Sequence, residues 1–80
     1  MSSKPFEHQV AVLIDGRRIV VSSASQALSM LSSGWPKERG PRAEDALATC
    51  LKVMEGYRST VDAEVAFRDA AREADILDED

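Results

Sequence analysis

The chain is predicted to be an α+β domain in which an N-terminal antiparallel β-hairpin precedes three α-helices, in the order ββααα. Two β-branched runs meet at Asp15-Gly16 and give the hairpin. Apolar residues then recur every three or four positions in three separate stretches, which gives the helices. With 80 residues the elements form a single domain over 1–80, near the lower end of what folds without a staple.

The hairpin is expected over about 9–22. Asp-Gly favours a type I′ turn because that turn needs positive φ at both central positions. The resulting register sets Ile14 opposite Arg17, Val12 opposite Ile19 and Val10 opposite Val21 on one face. Ala11, Leu13, Arg18 and Val20 fall on the other, so both faces are apolar. A two-stranded ribbon of this kind is marginal in water. Helices are expected to cover one face, and something should cover much of the second.

Ser23-Ala24-Ser25-Gln26 has the form of a capping box, in which hydroxyl and amide reciprocate at a helix start. The first helix is placed at about 24–33, with Ala24, Ala27, Leu28 and Leu31 on one stripe. Gly34 suits a left-handed terminal position, and Pro36 keeps Trp35 extended. The loop "GWPKERGPR" follows, and Pro41 fits the first turn of a helix at about 42–55, near Glu44 and Asp45. Its expected stripe is Ala43, Ala46, Leu47, Cys50, Leu51 and Met54, ended by Gly56. Ser59 or Thr60 can cap a third helix at about 61–76, whose stripe reads Ala63, Ala66, Phe67, Ala70, Ala74 and Leu77. Residues 77–80 read as a frayed acidic tail.

Charge and composition narrow the function classes. The net charge is −4, but residues 1–42 carry +3 and residues 43–80 carry −7. An acidic chain is a poor general polyanion binder, because phosphate affinity comes from Lys and Arg. The start "MSSKPFEHQV" has no apolar core of a secretory signal, and no apolar run reaches membrane-spanning length. A cytoplasmic protein without membrane attachment is expected.

The residues that could carry chemistry read mainly as structure. Cys50 is the single cysteine and lies within an apolar stripe, where a thiol behaves as a small hydrophobe. His8 is the single imidazole and is expected to be a solvated strand-end residue. Glu64–Arg68 and Asp69–Arg72 read as ordinary helical ion pairs on a solvated face. No metal-ligand set, phosphate loop or triad is legible, so neither catalysis nor a cofactor is expected. Trp35 reads as a lid over the core or as an exposed anchor beside Lys37, Arg39 and Arg42. Arg17 and Arg18 lie on opposite strand faces and read as solvated flanks of the turn.

The order of elements, with Ser-Ser before "ASQALSMLSSGWP", then Gly-Pro, "ALATCLKVMEG" and "VAFRDAAREADI", resembles the domain of unknown function 982 family. The likeness runs from about residue 6 to residue 77. It is carried by Trp35-Pro36, the Ala46-to-Cys50 spacing, Gly56, and Ala66-Phe67 with Ala70, Ala71 and Ala74. These are packing and turn positions. The resemblance implies a small bacterial protein, of a group found mainly in α-proteobacteria related to rhizobia, with no established activity to carry over. Family members tend to have a basic residue just before Ala-Phe, where this chain has Glu64 and Val65.

Three functional readings follow. The first is a non-catalytic interaction or regulatory module that self-associates as a homodimer and meets an unidentified protein, with Arg17, Arg18, Trp35, Lys37, Arg39 and Arg42 as its candidate surface. The second is a nucleic-acid-associated regulator that uses the same basic residues. The third, an enzyme or ligand carrier, has only the chance of a pocket between hairpin and helices behind it.

Overall fold

A computed structural model describes residues 4–36 and 38–78. Strand β1 (Pro5–Ile14) and strand β2 (Arg17–Ser23) form an antiparallel hairpin, followed by helices α1 (Ala24–Ser33), α2 (Pro41–Met54) and α3 (Thr60–Glu73). The ββααα architecture is the one the residue pattern predicts.

Asp15 and Gly16 have φ of +52° and +77°, as a type I′ turn requires. The rungs Val10–Val21, Val12–Ile19 and Ile14–Arg17 stand in the expected register. β1 begins four residues earlier than expected, because after an irregularity between Pro5 and Val10 the ladder resumes with Pro5 opposite Ser23. That irregular stretch is held from outside the sheet: the Glu64 carboxylate of α3 accepts the His8 backbone N–H at 3.1 Å.

One face of the hairpin meets the helices. Val10, Val12 and Val21 are fully buried in a core shared with Leu31, Cys50, Val53 and Phe67. Seven alanines of the helices are also wholly buried (Ala24, Ala27, Ala43, Ala46, Ala63, Ala70 and Ala71). Their single methyl groups let the helix axes approach closely, and Phe67 fills the space that remains.

The helix ends depart from expectation in instructive ways. Ser23 caps α1, its hydroxyl accepting the Gln26 N–H at 3.1 Å. The Gln26 side chain does not return the bond to Ser23, which faces Pro5 in the ladder. Instead its Oε1 accepts the Ser22 N–H at 3.1 Å, and its Nε2 donates to the Val20 carbonyl at 2.8 Å. One carboxamide thus does for the outer edge of β2 what a neighbouring strand would do. Gly34 closes α1 at φ −123°, not in the left-handed region, its N–H reaching the Met30 carbonyl.

Pro41 occupies the first position of α2. No side chain of its own segment caps this helix; the Glu73 carboxylate of α3 accepts from the N–H groups of Arg42 and Ala43 at 3.2 and 3.4 Å. A Cβ on Gly40 would come within 2.5 Å of that carboxylate, so glycine gives it room. Gly56, at φ +89°, turns the chain beyond α2. Ser59 stands at the start of α3 without a side-chain capping bond.

The buried faces of α2 and α3 are rotated from the predicted stripes. Thr49 and Val53 enter the core of α2, while Leu51 is 47% exposed and Leu47 and Met54 are half-buried. On α3 the buried set includes Glu64 and Ala71, and Ala66 is only partly covered. The helix stops at Glu73, short of the predicted 76, and Asp75 takes φ +59°.

Beyond that stop the expected frayed tail is corrected at residues 77 and 78, while residues 79 and 80 lie outside the described residues. Residues 76–78 lie along the free edge of β1, with the Leu13 N–H donating to the Ile76 carbonyl at 2.7 Å and the Asp78 N–H to the Ala11 carbonyl at 2.9 Å. Leu77 bridges to Val12. The segment is a strap rather than a loose end, because β1 has an unpaired edge and Ile76 and Leu77 have apolar side chains to bury. β1 is therefore central, with β2 on one side and the strap on the other.

Phe67 is the largest wholly buried side chain. Phe67→Ala is expected to cost about 3–5 kcal/mol, a large share of the total for a domain of this size, measured as the loss in urea midpoint. Glu73→Ala removes the α2 cap and is expected to cost about 1 kcal/mol, seen as a lowered Tm by circular dichroism, with Glu73→Gln closer to the parent.

Candidate functional site

The structure divides the candidate basic and aromatic residues among separate places. Arg17 is exposed at the turn, opposite Ile14. Arg18, on the other face, binds Asp78 of the strap through Nε at 2.7 Å. Trp35 is half-buried and meets Phe67 edge-on, with ring centroids 5.9 Å apart and planes at 72°. It closes the core beside the α1–α2 loop. Arg39 donates through Nη1 to the Leu31 carbonyl at 2.8 Å and through Nε to Glu44 at 3.2 Å, so it finishes the C-terminus of α1. Lys37 lies outside the described residues.

Trp35 and Arg39 share a shallow cleft of about 350 Å³ with Leu31, Ser32, Glu38 and Glu44. Arg42 lines another, of about 410 Å³, with Asp69, Arg72 and Glu73. In both clefts carboxylates face the guanidinium groups. Arg18 and Arg39 thus stand paired with carboxylates, which lowers what they offer to a polyanion.

The titratable groups are arranged for structure. Cys50 is wholly buried on α2, and burial pushes its thiol from the ordinary 9.0 up to about 11. A thiol so held is protonated at neutral pH and a poor nucleophile. The His8 imidazole is 77% exposed, with Nδ1 3.4 Å from Glu64. Glu64 itself is not on a solvated face, as the sequence pattern suggests; its side chain is 8% exposed, and it faces both His8 and Arg68, the latter at 3.7 Å. Asp69–Arg72, at 3.5 Å, is the ordinary surface pair expected. Among the described residues no group of three or more His, Cys, Asp or Glu could hold a metal ion, and no helix is long and apolar enough to cross a membrane.

The remaining feature is the outer face of the sheet. Ala11, Leu13, Val20 and Arg18 project there, away from the helices. Leu13 is 45% exposed and Val20 half-buried. As diagonal neighbours across the hairpin they form a short apolar strip, bordered by the Arg18–Asp78 ion pair. The expected cover over this face is partial: Ala11 is buried and Val20 half-buried, while Leu13 and Arg18 are exposed. Alternation in the sequence placed Leu13 and Val20 here, and the capping box marked Gln26 though not its bonds to β2; the uses of Glu64 and Glu73 had no local signal, since they bond across more than 29 residues.

Burial of Cys50 has a consequence for alkaline stability. The folded chain keeps the thiol proton up to about pH 11, whereas the unfolded chain releases it near 9. The contribution of this group to stability is constant below pH 9 and falls as pH rises from about 9 to 11, by about 2–3 kcal/mol. Urea titrations over that range should show the fall, with Cys50→Ala flattening it; the native thiol should also resist a disulfide reagent at pH 8 until the protein unfolds.

Comparison with known proteins adds family and no activity. No curated protein and no solved structure matches the chain. Residues 9–78, from β1 to the strap, match the model of the family described as Protein of unknown function (DUF982), and the chain belongs to that family.

Proposed function

We propose that this protein is a non-catalytic interaction module that docks through the outer face of its sheet, with a second copy of the chain as partner. The observation that carries the reading is the apolar strip of the exposed Leu13 and the half-buried Val20, on a sheet whose opposite face buries Val10, Val12 and Val21 in the core. Exposed apolar side chains grouped on one face, with an ion pair at their border, are the makings of a small protein interface. Such a strip is short of the area of a permanent dimer, so the association is weak and reversible.

The chemistry described above supports a binding role over an enzymatic one: the thiol is sealed in the core, the imidazole leans on a structural carboxylate, and the clefts are shallow and charge-compensated. The same compensation weighs against nucleic acid as the partner, because Arg18 and Arg39 are already engaged with carboxylates.

Sedimentation equilibrium at protein concentrations from about 10 to 500 μM is the test. The apparent mass should rise from 8.7 kDa toward twice that value, and Leu13→Lys, at an exposed position, should hold it at the monomer while leaving the fold intact. A parent chain that stays monomeric throughout, or an association untouched by Leu13→Lys, overturns the reading.

A further inference from the structure

We propose that the strap of residues 76–78 is an exchangeable strand, which one copy of the chain donates to the β1 edge of another in place of that copy's own. The proposal is independent of association through the outer face, since it uses the edge of the sheet and not its surface.

Three observations converge on the strap. First, its hold is narrow. A ten-residue strand receives it through the bonds at Leu13 and Ala11, a single bridge between Val12 and Leu77, and the partly solvated Arg18–Asp78 pair, with Ile76 as its one buried side chain. Second, the turn that delivers it is strained. Asp75, a non-glycine residue, sits at φ +59°, between an α3 that ends at Glu73 and an Ile76 whose N–H reaches back to the Ala71 carbonyl. Third, the helical apolar spacing of α3 runs on through this turn, from Phe67 and Ala70 to Ala74 and Leu77. Residues 74 and 75 therefore suit two conformations, the turn that folds the strap back or continued helix that carries residues 76–78 away as extended chain.

In the extended conformation Ile76 and Leu77 leave their own core, and the Leu13 N–H and Ala11 carbonyl lose their partners. A second chain in the same state repairs both losses. Each strap then lies on the other's β1, and the strap's bonds to β1 are rebuilt between chains, while the turn bonds of Asp75 and Ile76 give way to ordinary helical backbone at Asp75. Exchange of an identical element is a low-cost route to a dimer, and hinge residues decide its balance.

The test uses the full chain. Ala11 and Asp78 stand beside the Val12–Leu77 bridge, so a chain bearing Ala11→Cys is mixed with one bearing Asp78→Cys and treated with a short bifunctional maleimide. Cys50 is buried and stays out of the reaction, and loss of the Arg18–Asp78 pair affects closed and exchanged forms alike. With Asp75→Ala in both chains, the cross-linked heterodimer is expected to be at least tenfold more abundant than with Asp75→Gly, which accepts the turn without strain. Asp75→Lys, also a helix former, should behave as Asp75→Ala does. Dimer formation should persist when Leu13→Lys is added, which separates it from outer-face association. The proposal is overturned if the helix-favouring variants keep their circular dichroism yet give no more heterodimer than Asp75→Gly. It is equally overturned if the strap is released in a monomer, read as fast exchange of the Leu13 amide, or if both variants lose their helix content.

Discussion

Helices α1 and α3 rest on one face of a two-stranded ribbon with α2 packed against both, and the closeness of those contacts sets the terms for the rest of the molecule. The ribbon presents Val10, Val12 and Val21, and the helices answer largely with alanine methyl groups. Small side chains contribute little apolar area each, so the packing gains from short interaxial distance rather than from bulk. Phe67 is the large group in the middle, and Trp35 backs it edge-on from the loop between α1 and α2. A core of this kind tolerates little separation of its layers, because each alanine loses its neighbours within a fraction of an ångström.

Polar side chains fasten those layers at points distant in sequence. Glu64 ties α3 to the irregular part of β1, and Glu73 ties the end of α3 to the start of α2. Gln26 seals part of the outer edge of β2, while Arg39 finishes α1 from the following loop. Each of these groups satisfies backbone N–H or C=O groups that a helix end or a strand edge leaves open. Among the described residues no buried side-chain polar atom is left without a partner. Most of the charged residues that would attract attention as chemistry are thereby explained as construction.

The regions left over are the outer face of the sheet and its edges. Both edges of the hairpin are partly closed from within, one by a carboxamide and one by the strap, which is how small sheets resist indiscriminate pairing. The outer face is only partly covered, with Leu13 exposed beside the half-buried Val20, and Leu51, Tyr57, Val61 and Val65 are exposed elsewhere on the described surface. A family match that spans the same elements is consistent with residues chosen for packing and turns.

The amino-acid sequence by itself determined the hairpin, its register and the existence of the three helices. Those features rest on neighbours: alternation over a strand, two positive φ angles at Asp15-Gly16, and spacing around a helix. Tertiary structure decided which flank of α2 turns inward, where α3 ends and what the last residues do. Leu51 and Val53 are both apolar and a local rule cannot rank them; the position of the adjoining helices puts one outside and the other in the core. Likewise Ala74 and Leu77 extend the helical pattern, yet the open N–H of Leu13 and C=O of Ala11 draw the chain into a strap. Of the candidate site, the exposed Leu13 was legible as a face, while the roles of Glu64, Glu73 and Arg18 were not. Their partners are set by how elements meet in space, and a hydrogen bond across tens of residues leaves no periodic trace in the chain.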